Sequence, residues 1–174
     1  MMIHFKKHKA NILVLTVLSM AIIMMLFGVI IDLGQSYLTK AKIQTIADHS
    51  ASAGATVVGD MILKAAENNL VSDPSLQNIE NSLLLITKDD IEDIVSDKSR
   101  VTDEVKKYIS LNSQSNHLQV ENYEIIYPYD YYQGNSKIMT KVIIKKDQNF
   151  FFAKLLNKNK ITITAEAISS MPIK

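Results

Sequence analysis

The residue types that could carry out chemistry are few in this chain, and their spacing does not form a catalytic set. Cysteine is absent, which excludes disulfides, thiolate metal sites, Fe–S clusters and a cysteine nucleophile. Only His4 and His8 among the four histidines have the i, i+4 spacing of a helical zinc site. Because they flank lysines in a basic segment, we interpret them as polar flanks of that segment and predict no metal.

The densest group of oxygen ligands lies in residues 89–97 and suggests calcium at first sight. Its members are acidic: Asp89, Asp90, Glu92, Asp93 and Asp97. A calcium-binding EF-hand loop requires oxygens at fixed positions, a central glycine and a terminal glutamate, and that spacing is not present. Carboxylates near the start of a helix are favoured by its dipole, so we interpret the cluster as a solvated helix start.

Other signatures of catalysis are missing from the sequence. The chain has no glycine-rich phosphate loop and no Gly-x-Ser-x-Gly elbow. Tyrosines between residues 123 and 132 either decorate a binding surface or pack on the fold, and we favour packing. The sequence therefore predicts a protein that is not an enzyme and that needs no cofactor.

Composition and charge narrow the class further. The chain has 174 residues, of which 47% are hydrophobic and 21% charged, and this balance predicts one modest folded domain. Three of the 19 Lys and Arg residues lie in residues 1–10, which leaves 16 against 18 Asp and Glu. No basic surface remains for a nucleic acid partner.

Residues 11–31 form an apolar segment without any charged side chain. At about 1.5 Å per residue a helix of this length spans about 30 Å, the hydrocarbon thickness of a bilayer. We predict a membrane-spanning helix with Asn11 and Ile31 at its ends, in contact with membrane lipid; the alternative is a buried core helix. The segment is longer than the apolar region of a cleaved signal peptide, which favours an uncleaved signal anchor.

Lysines before the span predict its orientation. Lys6, Lys7 and Lys9 place residues 1–10 in the cytoplasm and the bulk of the chain outside the cell membrane, as a single-pass protein.

The helical pattern continues beyond the span, because no proline occurs before Pro74. Residues 32–72 are predicted to extend the helix, with an interruption expected near Gly54 or Gly59. Small residues dominate one stripe between residues 47 and 59, which allows another backbone to approach closely. Either the chain's own sheet or a second subunit packs there. In the second case, leucine at Ala51 or Gly54 should disrupt complex formation.

Residues 73–174 are predicted to form an α+β head. Helices are expected over residues 75–85 and 89–95, and residues 111–116 are expected to be a polar connection. Apolar residues then alternate with polar ones in three segments, near residues 118–127, 138–144 and 161–167, which predicts three strands. The predicted fold class is α+β: a long N-terminal membrane-spanning helix that continues outside the bilayer, a helical insert and a small antiparallel sheet.

Residues around the end of the span resemble the N-terminal region of the TadE/TadG-like proteins of tight-adherence (Flp-type) pilus systems. The matching positions are Asp32, Leu33, Gly34, Tyr37, Gln44, Ala47, Asp48, Ala51, Ala53, Gly54 and Ala55. A looser similarity covers FFFAKLL at residues 150–156 and ITITAEAI at residues 161–168. Lys9-Ala10 stands where a basic residue and glycine often precede the span, so the resemblance does not imply cleavage by a prepilin peptidase.

The resemblance implies a membrane-anchored pilin-like component of a tight-adherence type pilus or a related secretion apparatus, which acts by helix-mediated assembly. Its partners would be other pilin-like or pilus-assembly proteins. A homo-oligomer stays open, as does entry of the protein into a surface filament. The candidate assembly residues are Asp32, Gly34, Gln44, Ala47, Asp48, Ala51, Gly54 and Ala55. Asp32 is either a boundary residue that prefers the membrane interface or a polar contact to a neighbouring subunit. The alternative function is a membrane-tethered extracytoplasmic accessory or binding protein outside any filament.

Overall fold

The structure is a computed structural model that describes residues 4–72, 85–132, 136–152, 154 and 159–173. Within these residues, three helices precede three strands along the chain: α1 (His4–Ser72), α2 (Lys88–Ser96), α3 (Lys98–Ser115), β1 (Asn122–Tyr129), β2 (Lys137–Asn149) and β3 (Lys160–Pro172). The strands form one antiparallel sheet in the order β1-β2-β3. The α+β fold class predicted from the sequence is confirmed. The helix predicted over residues 75–85 lies outside the described residues except for Leu85.

Helix α1 has 69 residues and runs without interruption from the basic segment to Ser72. It contains no proline, so every internal N–H can donate to the carbonyl four residues earlier. Gly54 and Gly59 do not interrupt the helix, although we expected a break there. Packing explains the difference, since side chains from elsewhere in the chain lie directly against both glycines.

The chain folds into two compact units. The first unit comprises Met1–Thr39 with Asp147–Ile163, and the second comprises Lys40–Lys146 with Thr164–Lys174. Helix α1 and strands β2 and β3 contribute residues to both. The division predicted from the sequence, at residues 10, 31 and 72, follows the expected membrane boundaries and stays a prediction.

In the first unit, hydrogen bonds close the end of the β2–β3 hairpin. The Phe150 N–H donates to the carbonyl of Asn159 over 3.1 Å. The Asp147 carboxylate accepts from Lys160 Nζ at 2.8 Å and from the Thr162 hydroxyl at 2.6 Å. These bonds hold the two strands together next to the connection between them.

The core of the second unit forms where α1, α3 and the sheet meet. Every second residue of β2 is buried between Ile138 and Ile144, as the two-residue period predicts. The buried side chains that share this core are Ile43, Ile46, Ala47, Ala51, Val58, Val101, Val105, Ile109, Ile138, Val142, Ile144, Ala165 and Ala167. Burial of this apolar surface is the main stabilising contribution to the unit.

Helix α2 begins with a reciprocal capping box. Thr87 accepts from the backbone N–H of Asp90, and the Asp90 carboxylate accepts from the backbone N–H of Thr87. Asn69 of α1 also donates to Asp90, over 2.8 Å. The hydrogen bond from the Thr87 side chain is the main reason why the pKa of Asp90 is lowered. The acidic cluster of the sequence thus contains a helix cap.

Helix α3 extends through residues 111–115, so the prediction of a polar connection over residues 111–116 was wrong. No glycine or proline interrupts this segment, and its polar residues face solvent or cap the helix end. The helix ends where His117 adopts a left-handed conformation, with φ of 51°. The Leu118 N–H then donates to the Ser113 carbonyl at 2.9 Å, which satisfies an orphan acceptor of the last turn.

Candidate assembly surface

The first half of α1 exposes its apolar side chains. Across the most apolar 18-residue stretch, only 6% of the residues are buried. Two polar side chains in this stretch bond to the helix itself, since Thr16 donates to the Ile12 carbonyl and Ser19 to the Thr16 carbonyl, each at 2.9 Å. Such an exposed helix fits a single-pass membrane anchor and contradicts the buried-core alternative for the described residues.

Asp32 stands at the end of this apolar stretch and is nevertheless buried, with 2% of its surface exposed. One carboxylate oxygen accepts from the backbone N–H of Phe151 at 3.0 Å, and the other from that of Phe152 at 2.8 Å. The carboxylate of Asp32 therefore bonds to the start of the β2–β3 connection in its own chain. Charge-assisted bonds of this kind are among the stronger ones in proteins.

A second contact joins the same connection to α1. The ring of Phe152 lies against Gly28 so closely that a Cβ added at Gly28 would be 2.3 Å from Phe152 Cγ. Glycine is therefore required there by close approach. We did not single out Gly28 from the sequence, and we noted Phe152 only as part of the FFFAKLL segment; the signal for their contact was a glycine within an apolar span.

Gly34 has the opposite environment. Among the residues that the structure describes, none would have an atom within 4 Å of a Cβ at this position. Its neighbours Leu33, Tyr37 and Leu38 are exposed, Tyr37 to 75%. Of the candidate residues, Gly34 lies on a face of α1 that is open to another helix.

The small-residue stripe lies in the second unit and is filled by the chain itself. Ala47, Ala51 and Ala55 are buried. A Cβ at Gly54 would lie 2.8 Å from Thr140 Cγ2 and 2.9 Å from Val105 Cγ2. Of the two alternatives from the sequence, packing within the chain is favoured: Gly54 lies against both the sheet and α3, and the three alanines are buried without a second subunit.

Gln44 and Asp48 lie beside strand β3, which is an edge strand of the sheet. The Gln44 side-chain amide donates to the Glu166 carbonyl at 2.9 Å and to the Asp48 carboxylate at 3.0 Å. One helical turn earlier, Lys40 Nζ donates to the Thr164 carbonyl. These side chains satisfy alternate outward-facing carbonyls of the edge, which would otherwise be free to pair with another strand.

Comparison with known families identifies the segment that carries these residues. The family model of putative Flp pilus-assembly TadE/G-like proteins matches residues 10–57. Residues 10–57 are therefore similar to the TadE/G-like pilus-assembly domain. All eight candidate assembly residues lie within it. No curated protein and no solved structure matches the chain.

The TadE/G-like match supports a pilus-related role, and this family is structural rather than enzymatic. It also suggests that the protein interacts with other pilus components. The match begins before the exposed apolar stretch of α1 and ends within the buried stripe, so one family segment includes both environments.

Outside the TadE/G-like segment, one polar cluster lies across the three strands. Lys141 of β2 pairs with Glu166 of β3 at 2.5 Å and lies 4.8 Å from the centre of the Tyr129 ring of β1. The hydrogen bond to Glu166 is the main reason why the pKa of Lys141 is raised. Because Glu166 is half exposed, we interpret the cluster as a cross-strand contact of modest energy.

For the tyrosines of residues 123–132, the sequence left either a binding surface or packing on the fold, and Tyr127 packs on the fold. Its side chain is buried and its hydroxyl donates to the Ile94 carbonyl at 2.9 Å. Burial raises the pKa of Tyr127 well above its usual value. Among the described residues, no group of three or more His, Asp or Glu side chains is arranged to hold a metal ion.

Proposed function

We propose that the protein is a membrane-anchored, pilin-like component of a tight-adherence type pilus or a related secretion apparatus, and that it acts by helix-mediated assembly. In this proposal α1 crosses the cell membrane once, with residues 1–10 in the cytoplasm and the α+β head outside. One observation carries it: between residues 12 and 31, inside the TadE/G-like match, most apolar side chains of α1 are exposed rather than buried.

Anchoring follows from the transfer of these side chains into lipid. A helix with an apolar surface all round is unstable in water but stable in a bilayer, where its backbone groups are bonded internally. The exposed side chains that would contact lipid include Ile12, Leu13, Val14, Leu15, Val17, Leu18, Ile22, Ile23, Leu26, Phe27, Ile30 and Ile31.

Lateral assembly requires a face of α1 that is not covered by the chain. Gly34 supports such a face, because it is open and because small residues let two helices approach closely. Exposed Leu33, Tyr37 and Leu38 surround it and would supply the apolar contact area. The buried candidates, such as Ala51 and Gly54, would contribute to assembly only by fixing the head on α1.

The proposal is tested by the location of the protein in cells that carry the pilus system. Surface filaments are sheared from the cells and blotted for the protein beside the membrane pellet. Recovery with the filaments, lost in a mutant that does not assemble them, is expected for a minor pilin. Retention in the membrane together with crosslinks to pilus proteins would indicate an assembly factor of the same apparatus.

A variant pair tests the assembly face. Gly34→Leu should reduce crosslinking to pilus partners, whereas Asn68→Leu, at an exposed helical position outside the TadE/G-like match, should not. Membrane retention with no crosslink to any pilus protein would contradict the proposal. It would favour the alternative, an extracytoplasmic accessory protein tethered to the membrane.

A further inference from the structure

The β2–β3 connection is fastened to α1 within the first unit by three contacts. Two are the hydrogen bonds from the backbone N–H groups of Phe151 and Phe152 to the two oxygens of Asp32. The third is the Phe152 ring on Gly28. Thr39 adds a fourth contact nearby, because its hydroxyl donates to Gln148 Oε1 at 3.0 Å.

These contacts determine at which point along the axis of α1 the start of the connection lies. Gly28 lies inside the predicted span of residues 11–31, three residues before its outer end, or about 4.5 Å along the helix axis. A side chain that packs on Gly28 therefore lies at the depth of the outermost acyl groups. Phe152 lies at that depth.

The chemistry of the connection suits this depth. Peptide N–H groups enter lipid only when they are bonded, and Asp32 satisfies those of Phe151 and Phe152. The Phe151 side chain is 77% exposed, an unusual state for a large aromatic ring in water. Lys154, which follows, is also exposed and carries a charge that complements anionic lipid headgroups.

We propose that Phe151 and Phe152, at the start of the β2–β3 connection, form a second membrane contact by entering the outer leaflet beside α1. The occupant of this apolar surface is lipid, because the surface is continuous with the exposed apolar side chains of α1. Asp32 acts as a positioning residue that holds the connection against the helix. The inference rests on the proposed membrane anchoring by α1 and adds a second, separate point of contact.

The test uses the absence of cysteine from the chain, which allows single labels on the full-length protein. An environment-sensitive fluorophore is attached to Phe151→Cys, Val17→Cys or Tyr132→Cys in vesicles of phosphatidylcholine and phosphatidylglycerol. Phe151 is suitable because its exposure means that a label does not displace the core. Quenching is measured with nitroxides on the lipid acyl chains and with iodide in the water.

We expect the label at position 151 to be quenched by acyl-chain nitroxides nearly as strongly as the label at position 17. Its iodide quenching should be several-fold weaker than that at position 132, which is exposed on the head. Replacing Asp32 by Ala should raise iodide quenching at position 151 several-fold, whereas Asp48→Ala, a matched change on the same helix, should not.

Each contrary result has a distinct meaning. If position 151 is quenched by iodide like position 132 while position 17 stays in lipid, the second contact is wrong and the anchor stands. If position 17 is itself open to iodide, the anchor in the proposed function fails. If position 151 is protected from both quenchers, protein covers it, either this chain or a second copy of it, and the lipid assignment is overturned.

Discussion

The two halves of α1 have the same backbone conformation and opposite surroundings. In residues 12–38 most large apolar side chains are exposed, whereas in residues 43–66 the helix buries a stripe of small and branched residues in the core of the second unit. Hydrophobicity alone does not separate the halves, since both are apolar on at least one face. The halves differ in how much of the helix circumference is apolar. The first half is apolar all round, and the second only along one stripe.

The glycines show what this difference means for assembly. Gly54 and Gly34 both belong to the TadE/G-like match, and both would count as close-approach sites from sequence. Thr140 and Val105 of the same chain already lie against Gly54, whereas none of the described residues would contact a Cβ at Gly34. A small residue in a helix therefore predicts a close contact, but the partner depends on which elements the fold brings there.

The largest expected effect comes from adding leucine at each glycine. Gly54→Leu should destabilise the second unit by about 3 kcal/mol or more, because its Cβ alone would overlap Thr140 and Val105. Gly34→Leu should change the free energy of unfolding by less than about 1 kcal/mol. The leucine side chain enters open space, and leucine has a higher helix propensity than glycine. Chemical unfolding in detergent micelles, followed by circular dichroism, measures both.

Crosslinking completes this comparison. Gly34→Leu should lose pilus-partner crosslinks while it keeps wild-type stability, and Gly54→Leu should lose them only as far as it unfolds. A folded Gly54→Leu protein that has lost its crosslinks would show that the stripe meets a second subunit, which is the alternative that the structure does not favour.

Most elements could be predicted from the sequence, because their signals are local. The unbroken run without proline predicts α1, and the two-residue alternation predicts the three strands. Residues 111–116 were assigned wrongly because polar side chains were taken as a loop, although no residue there stops a helix. The ends of elements depend on capping, and the cap at His117 has a weak sequence signal.

The surroundings of the candidate site residues could be predicted only in part. The sequence indicated that Asp32, Gln44 and the small stripe matter, but not what they contact. Asp32 meets amides 119 and 120 residues later, and Gln44 meets a carbonyl 122 residues later. Such pairs carry no periodic signal, because they arise only when the hairpin folds back against α1.

The next largest difference in unfolding free energy is expected between a substitution at buried Tyr127 and the same substitution at exposed Tyr37. Tyr127→Phe should cost about 1 kcal/mol at neutral pH, because it removes the hydrogen bond to the Ile94 carbonyl. Tyr37→Phe, at an exposed position on the first half of α1, should cost almost nothing. Unfolding free energies in micelles at neutral pH compare the two.

The pH dependence of the same pair follows from the raised pKa of Tyr127. Burial favours the neutral phenol in the folded state, so the unfolded state loses its proton first. Stability from this group is complete below pH 10 and is lost as the pH rises above it. The wild type and Tyr37→Phe should therefore lose more stability above pH 10 than Tyr127→Phe does. Equal slopes for all three proteins would mean that Tyr127 is accessible to water.

The smallest effect is expected at the edge of β3. Gln44→Ala removes the donor to the Glu166 carbonyl and should cost only about 0.5 kcal/mol, since the bond is partly solvated. Gln35→Ala, nine residues earlier on the exposed half of α1, is the matched control and should be neutral. Gln44→Ala should also aggregate faster, because an uncovered strand edge can pair with another chain. Equal stability and equal aggregation rates for the two variants would show that Lys40 alone covers the edge, and Gln44 would then have no structural role at β3.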